Sequence, residues 1–386
     1  MYSKYNIYLK DYPKKDFTTI FNLRTQEVVC YVDNNLFPEP NKIIEEKLLE
    51  KGICCMTESA EISEVIKKYN ETICSNDELV VVMLLTGICN CNCIYCYESD
   101  LKMDYNQACD LEKVDRFIYE KMTGNQIEKL RIVFYGGEPL LNKEMITVVS
   151  TRLKEQYGER YKFSIVTNGT LLEQEDIRKW VELGLLKVKV TLDGNAECHN
   201  ARRPFKNGEG TYALILQNLE RINNQVEIVI NMIIDEELFG VSEMIHDLKH
   251  RDINASFSMS FREPITMSQK EKKDCMIKFN SILKNEEVDF QTNIKAKHGI
   301  ICPMKRKNYY VIDGKGQLSG CESVLNNSLG NIDNPSSKES YELSDRCMNC
   351  KYLPICYGGC IYDQHCQREY FEQFIPELLK IYIESD

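Results

Sequence analysis

Three cysteines near residue 90 have a spacing that suits an iron–sulfur cluster. Cys89, Cys93 and Cys96 follow the pattern C-x3-C-x2-C. Three thiolates can hold three irons of a [4Fe–4S] cube, whereas ferredoxin-type clusters use four cysteines and only transfer electrons. The fourth iron is then free to bind a small molecule, because an open coordination position distinguishes a reactive metal site from a structural one. Zinc is the alternative, since C-x2-C pairs often hold it.

The segments around these cysteines predict an α/β fold. Short β-branched runs alternate with longer amphipathic stretches from residue 79 onward. The predicted strands span residues 79–86, 130–135, 162–167, 186–192, 227–234 and 255–261. The predicted helices span residues 111–122, 143–156, 173–182, 212–223 and 241–250. Six βα units in series favour a parallel sheet that curls into a partial (β/α)6 TIM-like barrel.

Three further motifs follow the second, third and fourth predicted strands. They are Gly136-Gly137-Glu138-Pro139, Thr167-Asn168-Gly169-Thr170 and Asp193-Gly194. The cysteine run follows the first strand. In a parallel barrel, the loops at the C-terminal ends of the strands form one mouth, where the active sites of such folds lie. We therefore predict a single site at this mouth.

The Gly-Gly pair has two interpretations. Gly136 and Gly137 would let the backbone approach a ligand closely, and Glu138 can accept a hydrogen bond from an ammonium group. A plain strand-to-helix turn, with Pro139 at its exit, is the alternative. The common location of the four motifs favours ligand binding.

The four motifs together resemble those of the radical S-adenosylmethionine (SAM) enzymes. In that family the open iron is chelated by the amino and carboxylate groups of SAM, and a tyrosine precedes the last cysteine, as Tyr95 does here. The resemblance implies that the segment Gly136-Gly137-Glu138-Pro139 binds the SAM amino group. It also implies that Thr167 and Asn168 lie beside the ribose.

Residues 191–203 resemble the fourth motif of the same family. Asp193 matches the family aspartate, and Arg203 matches the arginine that meets the SAM carboxylate, for which a guanidinium fork is suited. The chain departs from the family pattern at Thr191, Asn195 and Asn200. Arg202 is the alternative to Arg203, and we interpret His199 as a brace of the loop.

The resemblance implies a radical mechanism. Cys89, Cys93 and Cys96 would hold the catalytic [4Fe–4S] cluster, which donates an electron into bound SAM. Methionine leaves, and the resulting 5′-deoxyadenosyl radical abstracts hydrogen from an unactivated substrate carbon. The protein contributes placement, electron supply and exclusion of solvent, while the cofactor carries the difficult chemistry.

Cysteines recur at high density after residue 299. The pattern is Cys302-x13-Gly316-x4-Cys321, followed by Cys347-x2-Cys350-x5-Cys356-x3-Cys360-x5-Cys366. This density indicates metal binding rather than chance or disulfide pairing. Spacing alone does not distinguish iron from zinc, because zinc ribbons also use C-x2-C pairs.

The second array resembles the SPASM domain that follows some radical SAM barrels, which implies two auxiliary [4Fe–4S] clusters. By the topology of that family, the outer cluster takes Cys347, Cys350, Cys356 and Cys366, and the inner cluster takes Cys302, Cys321 and Cys360. Two complete cubes need eight thiolates and the array offers seven. The inner cluster is therefore expected to have an open iron or a non-cysteine ligand, and an open iron would bind a substrate thiolate.

Composition and charge narrow the class of protein. The 386-residue chain is 43% hydrophobic and has a net charge of −11, so nucleic acid is an unfavourable partner. The longest apolar run, residues 79–85, is too short to cross a bilayer, and the first residues lack the apolar segment of a signal peptide. We expect a cytoplasmic protein without a membrane partner, whose 18 cysteines serve metal binding or catalysis.

Residues 1–78 are predicted to form a small α+β module. Strands are expected at 5–9, 18–22 and 28–32, and helices at 41–51 and 59–70. Such a unit resembles the winged-helix-like element with which enzymes that modify ribosomal peptides capture a leader peptide as an added strand. An extension that merely caps the open barrel is the alternative. The chain would then comprise this module, the barrel at 79–298 and the SPASM-like domain at 299–386.

These features favour a peptide maturase. The expected product is a thioether of the sactipeptide or ranthipeptide type, formed in a cysteine-rich precursor peptide with a leader. The alternatives are an anaerobic sulfatase-maturating enzyme that forms formylglycine, a maturase that forms carbon–carbon crosslinks, and a non-catalytic electron-transfer protein. An electron donor such as flavodoxin or ferredoxin is expected as a second partner.

Overall fold

The structure is a computed structural model that describes residues 1–32, 42–96, 110–234, 238, 240–261, 267–288, 301–325, 327–338, 341–362 and 366–383. The predicted boundary between residues 298 and 299 lies outside this part of the chain. So does Asn41, the predicted first residue of an N-terminal helix.

The N-terminal module consists of three antiparallel strands followed by two helices. The elements are β1 (Asn6–Lys10), β2 (Phe17–Asn22), β3 (Val28–Val32), α1 (Lys42–Glu50) and α2 (Glu58–Cys74), and the sheet order is β1-β2-β3. Helix α2 begins where the side chain of Thr57 accepts the N–H of Ala60, a favourable cap. It buries Val65, Tyr69 and Ile73 at helical spacing. The module is therefore of the predicted α+β type.

Six parallel strands form the centre of the fold. They are β4 (Glu78–Leu84), β5 (Lys129–Tyr135), β6 (Tyr161–Thr167), β7 (Leu185–Thr191), β8 (Glu227–Ile234) and β9 (Ser256–Phe261). Each strand pairs in parallel with the next, as the βα pattern predicted. In the described residues the sheet ends at β9, so the curled sheet is not closed.

Helices connect these strands. They are α3 (Leu111–Gly124), α4 (Lys143–Tyr157), α5 (Gln174–Leu183), α6 (Ala196–Arg202), α7 (Tyr212–Ile222), α8 (Val241–His250) and α9 (Gln269–Asn285). Sequence reasoning did not predict α6 or α9. Helix α6 is too short to show a helical period, whereas α9 begins with a capping box of Ser268 and Glu271, a recognisable sequence signal.

The C-terminal region extends the same sheet. Its elements are β10 (Tyr309–Ile312), β11 (Gln317–Ser319), β12 (Ser328–Asn331), β13 (Asn334–Pro335), α10 (Asp345–Met348), α11 (Leu353–Cys356) and α12 (Arg368–Ile383). Strand β10 pairs in parallel with β4, which gives ten strands in the order β13-β12-β11-β10-β4-β5-β6-β7-β8-β9. The cysteine-rich region is thus joined to the barrel by the pairing of β10 with β4, the first strand of the barrel. Within the described ranges, every helix is too short or too polar to be a membrane span.

The N-terminal module packs against the C-terminal region. Tyr5 and Tyr69 share an apolar cluster with Tyr352, Ile375 and other residues of that region. The Tyr69 hydroxyl donates to the carbonyl oxygen of Tyr341 at 2.7 Å. These contacts place the module beside the cysteine-rich region.

Successive residues of β7 face the surrounding helices and the barrel interior in turn. Val188 and Val190 are fully buried in the main core, so Lys187, Lys189 and Thr191 lie on the inner face of the strand. Two lysines inside a parallel strand are unusual, because such strands are buried on both faces and are mostly apolar.

Candidate active site

A cavity of about 400 Å³ lies within the curled sheet and under its C-terminal loops. It is lined by nine of the residues predicted from the sequence: Cys89, Cys93, Tyr95, Cys96, Gly136, Gly137, Thr167, Asn168 and Arg203. These residues come from the loops that follow four different strands. The fold therefore brings the four motifs to one site.

Backbone hydrogen bonds hold the cysteine loop from two sides. Gly137 donates to Thr86 at 2.9 Å and Glu138 donates to Ile88 at 2.8 Å on one side, and Ile94 donates to Arg202 at 3.0 Å on the other. A Cβ atom on Gly137 would lie 2.3 Å from the carbonyl oxygen of Ile88. The close approach of the two loops therefore requires glycine at this position.

Cys89 lies among hydrogen-bond donors. Its sulfur accepts the N–H of Cys91 at 3.4 Å and the Asn168 amide at 3.7 Å. Hydrogen bonds from Cys91 and Asn168 hold the pKa of the Cys89 thiol below its usual range. Burial raises the pKa of Cys93 to about 11, although the nearby Arg203 opposes this rise. Binding to iron would keep both groups as thiolates.

The donor set fits an iron–sulfur cube. All three cysteines line one cavity, and they share it with polar groups that can bind a small ligand. In the part of the chain that is described, no three Cys, His, Asp or Glu side chains converge as the ligands of a single metal ion would. The ligands of a cube bind different irons and so stand further apart than those of a mononuclear zinc site.

Tyr95 connects the cysteine loop to Arg203 and Asp193. Its hydroxyl oxygen accepts a hydrogen bond from Arg203 Nη1 at 2.7 Å and donates a short hydrogen bond to Asp193 Oδ2. Burial raises the pKa of Tyr95, so the phenol keeps its proton. Asp193 also accepts the backbone N–H of Ile233 at 3.0 Å. It is buried and anchors this network rather than lining the cavity.

Arg202 and Arg203 point to different places. Arg203 lines the large cavity. Arg202 donates to the Ile233 carbonyl at 2.8 Å and to Asp193 at 3.3 Å, and it lines a smaller cavity beside Cys198. Of the two arginines considered from the sequence, Arg203 is the one that faces the cysteines.

His199, a residue of helix α6, connects Asp193 to Thr211 through hydrogen bonds. Its Nδ1 accepts the N–H of Asp193 at 3.1 Å, so Nε2 carries the proton and donates to Thr211 Oγ1 at 3.0 Å. Thr211 in turn donates to the carbonyl oxygen of Arg203 at 2.8 Å. Burial lowers the pKa of His199 to about 3, with Arg203 and Arg202 acting in the same direction. The neutral imidazole therefore braces the loop, in agreement with the interpretation of the sequence.

Two of the three departures from the family pattern have local explanations. Asn195 is the N-cap of α6, where its side chain accepts the N–H of Cys198 at 3.1 Å. Asn200 accepts the N–H of Tyr212 at 3.0 Å and so connects α6 to α7. Thr191 lines the cavity and keeps a hydroxyl there.

The Glu138 carboxylate links two loops. One oxygen accepts the Thr167 hydroxyl at 2.7 Å and the Leu140 N–H at 2.9 Å, and the other accepts the Asn168 N–H at 2.7 Å. Its burial raises the pKa to about 7. Glu138 and the adjacent Pro139 are buried beside the cavity and do not line it. The carboxylate is thus already engaged with the chain, which differs from the expected free acceptor for an ammonium.

Sequence reasoning missed two charged residues that line the cavity, Lys189 and Glu322. Tyr309, which also lines the cavity, donates its hydroxyl to Glu322 at 2.7 Å. Burial lowers the pKa of Lys189, as does its neighbour Lys187. The alternation of lysine and valine in β7 is the sequence signal that would have identified Lys189.

The C-terminal cysteines form two neighbourhoods. Burial, and then the proximity of Cys347 and Cys350, raises the pKa of Cys356 to about 11. The pKa of Cys302 is raised by burial and by Cys360. Cys321 in turn has Cys302 among its charged neighbours. Each of these cysteines belongs to the same implied set, outer or inner, as the cysteine on which it acts, and Cys350 and Cys366 both lie near Arg368. The two ligand sets stay a prediction.

Comparisons with known proteins agree with the geometry of the barrel. Residues 83–238 match the model of the radical SAM superfamily. An uncharacterised protein of Methanocaldococcus jannaschii is 34% identical over 33% of this chain and 43% of its own length. The serine-type anaerobic sulfatase-maturating enzyme of Klebsiella aerogenes is 23% identical over 70% of this chain and 76% of its own. The radical SAM cyclopropyl synthase TigE of Paramaledivibacter caminithermalis is 24% identical over 86% of this chain and 78% of its own.

Solved structures show the same fold. Native anSMEcpe with bound AdoMet and Kp18Cys peptide has a TM-score of 0.62 at 18% identity, over 80% of this chain and 98% of that chain. Streptococcus suis SuiB bound to precursor peptide SuiA has a TM-score of 0.55 at 13% identity, over 93% of this chain and 95% of that chain. The likeness to SuiB covers more of this chain than the likeness to anSMEcpe does.

Proposed function

We propose that this chain, an enzyme whose residues 83–238 match the radical SAM superfamily, forms thioether bonds from Cys sulfur to carbon in a cysteine-rich ribosomal precursor peptide. The supporting observation is the composition of the cavity wall. Cys89, Cys93 and Cys96 line the cavity together with Glu322 and Ser323, which directly follow Cys321. A substrate in this cavity would therefore lie close to the predicted catalytic cluster and to one cysteine of the predicted inner auxiliary set.

The radical SAM domain uses a [4Fe–4S] cluster and SAM, which when bound supply a 5′-deoxyadenosyl radical for hydrogen abstraction. In our proposal Cys89, Cys93 and Cys96 hold the cluster. Gly136 and Gly137 present backbone groups to the SAM amino group, and Arg203 binds its carboxylate. Thr167 and Asn168 lie at the ribose, and Tyr95 and Asp193 hold Arg203 in place.

Thioether formation requires the loss of two hydrogens from the peptide. One leaves the substrate carbon as a hydrogen atom, which 5′-deoxyadenosine carries away. The other leaves the thiol as a proton. When the thiolate sulfur then bonds to the carbon radical, one surplus electron has to pass to an acceptor. Auxiliary clusters held by the C-terminal cysteines would supply such an acceptor, and the inner set, which has three cysteines, would leave one coordination position open for a peptide thiolate.

The free edge of β3 is the proposed leader-binding site. In the described part of the module, β3 is an edge strand of the sheet, and its sequence, VVCYV, carries no charge. Asn22 donates to Glu27 at 3.0 Å, and the antiparallel register pairs Ile20 with Val29. Val29 and Tyr31 therefore bond to β2. The backbone N–H groups of Val28, Cys30 and Val32 face outward, where an added strand can accept their hydrogens.

Two alternatives have specific support. Sulfatase maturation is supported by the relative from Klebsiella aerogenes, which is named a serine-type anaerobic sulfatase-maturating enzyme. Carbon–carbon bond formation in a peptide is supported by TigE, which is named a cyclopropyl synthase and aligns over 86% of this chain. The N-terminal module and the seven-cysteine array favour the thioether.

The test is tandem mass spectrometry of a cysteine-rich peptide encoded beside the gene. The peptide is incubated anaerobically with reconstituted enzyme, SAM and reductant, and free thiols are then alkylated. We expect loss of two hydrogens per bond together with protection of one cysteine. Loss of two hydrogens with every cysteine still alkylated would indicate a carbon–carbon bond. An unmodified peptide, with formylglycine formed in a sulfatase peptide, would contradict the thioether proposal.

A further inference from the structure

Lys305 lies at the boundary between the two groups of C-terminal cysteines. The residue is 8% exposed, and its ammonium donates to the carbonyl oxygen of Tyr357 at 2.6 Å. Buried lysines are rare unless an acidic group or several acceptors compensate for lost hydration. In the described part of the chain, no carboxylate is among the charged neighbours that act on Lys305, and its Nζ lies 5.9 Å from the centroid of the Tyr69 ring. The group that compensates its charge must therefore be something else.

The turn from Cys356 to Cys360 wraps around this ammonium. Tyr357, Gly358 and Gly359 all have positive φ angles, of 45°, 81° and 65°. A Cβ atom on Gly358 would lie 3.3 Å from Lys305 Nζ and 4.0 Å from Cys347 Sγ. Lys305 Nζ and the Cys347 sulfur thus flank the same small space, which a glycine leaves open.

Cysteine thiolates of both the inner and the outer set stabilise the charged form of Lys305. The ionisable neighbours that favour its charged form are all cysteines: Cys302, Cys356, Cys347 and Cys360. Cys302 and Cys360 belong to the proposed inner set, and Cys347 and Cys356 belong to the proposed outer set. Burial opposes the charge and lowers the pKa of Lys305. A negatively charged metal–thiolate centre on either side would compensate the ammonium.

We propose that Lys305 is a positioning residue that raises the reduction potentials of the two auxiliary clusters. This inference rests on the proposed function, in which these clusters accept the surplus electron. Adding one electron to a cluster adds one negative charge, and a fixed cation in a poorly solvated region stabilises the reduced state most. Net charge and solvent exposure are among the factors that set the potentials of iron–sulfur clusters.

The test uses the full chain with the first cluster removed. In the Cys89→Ala/Cys93→Ala/Cys96→Ala variant, only the C-terminal clusters can be reconstituted, and iron and sulfide analysis reports whether they form. Their midpoint potentials are then measured by anaerobic titration with electron paramagnetic resonance. Absence of these clusters would contradict the proposed function. Unchanged potentials in the charge-removing variant Lys305→Gln would contradict only the present inference.

The substitutions separate charge from packing. Lys305→Gln keeps a donor for the Tyr357 carbonyl but removes the charge, and we expect more negative potentials. Lys305→Arg keeps the charge and is expected to stay near the parent. Lys351→Met is the matched control, because Lys351 adjoins Cys350 but its side chain is partly exposed to solvent, where water and salt screen the charge. Equal shifts for Lys305→Gln and Lys351→Met would overturn the inference.

Salt dependence gives a second readout. The effect of Lys305→Gln should persist at high ionic strength, since buried charges are screened weakly, whereas any effect of Lys351→Met should diminish. If Lys305→Gln were to lose iron, Lys305→Met would carry the same comparison. Parent-like potentials in Lys305→Met would contradict the inference.

Discussion

Arg203 donates a hydrogen bond to the Tyr95 hydroxyl oxygen at 2.7 Å. This contact joins the residue before the last cysteine of the barrel site to an arginine 108 positions later. The Tyr95 proton is directed to Asp193, so the guanidinium keeps its other N–H groups for a ligand. Within the described residues, a cation that faces the three cysteines is thus held by a neutral phenol, and the Asp193 carboxylate acts on it only through that phenol's hydrogen bond and at longer range.

The first prediction concerns this arginine. We expect Arg203→Lys to weaken SAM binding about 10-fold or more, because the two-pronged contact to a carboxylate is lost and hydrogen bonds to charged groups contribute about 1.5–3 kcal/mol. Calorimetric titration of the anaerobic, reconstituted enzyme with SAM would measure the change. Arg202→Lys is the control and should have the smaller effect, since Arg202 lines a different cavity. A larger effect at Arg202 would reassign the carboxylate contact.

The second prediction concerns the link between two loops. Replacing Glu138 by Ala removes the acceptor of three buried donors, and each unsatisfied donor costs about 1–3 kcal/mol. We expect the free energy of unfolding to fall by about 3 kcal/mol or more, which is the sum of three such costs at the lower end of that range. Urea unfolding of Glu138→Ala and Glu138→Gln would test this. The glutamine variant should be intermediate, because its single oxygen can serve only part of the donor set.

The third prediction is a pH dependence set by His199. Its folded-state pKa is about 3 and its ordinary value is about 6.5, so the unfolded chain binds more protons between these values. Stability from this group is therefore complete above about pH 6.5 and is lost as the pH falls, by about 2 kcal/mol at pH 5. Unfolding of wild type and His199→Gln should be compared from pH 5 to pH 7.5. Parallel curves would show that His199 is not responsible.

The fourth prediction concerns the edge of the N-terminal sheet. Cys30→Pro removes an outward backbone N–H of β3 without removing a hydrogen bond to β2. We expect it to weaken the binding of a leader peptide about 10-fold, because one backbone hydrogen bond to the added strand is lost and the strand geometry is disturbed. Fluorescence anisotropy of a labelled leader would measure this. Cys30→Ala is the matched control, because it changes the side chain and keeps the N–H. Equal affinities for the two variants would exclude pairing at this edge.

The fifth prediction concerns Lys189. Its side chain lines the cavity, and Glu322, an acidic residue whose charge acts on Lys189, accepts the Tyr309 hydroxyl. We expect the ammonium to bind an oxygen of the peptide, so that Lys189→Met raises the peptide KM about 10-fold, which corresponds to one charge-assisted hydrogen bond. Steady-state kinetics would test this against Lys187→Met. Lys187 lies on the same face of β7 but is absent from the cavity wall.

The barrel and its cysteine site were predictable because the signals are local. Buried parallel strands and amphipathic helices have distinct periods, which identified all six central strands. The spacing of Cys89, Cys93 and Cys96 restricts the ligand chemistry without knowledge of the fold. Short elements were missed for the same reason, since β10 has four residues and α6 has seven, too few to show a period.

Sequence by itself therefore determined the type of cofactor chemistry, the order of the central strands and the end of the sheet at which the motifs meet. Tertiary structure decided which arginine faces the cysteines, that the Glu138 carboxylate is engaged by Thr167 and Asn168, and that Lys189 and Glu322 share a cavity. It also placed the N-terminal module against the C-terminal region. These relationships depend on contacts between residues far apart in the chain, and the energies of such contacts leave no periodic pattern in the sequence.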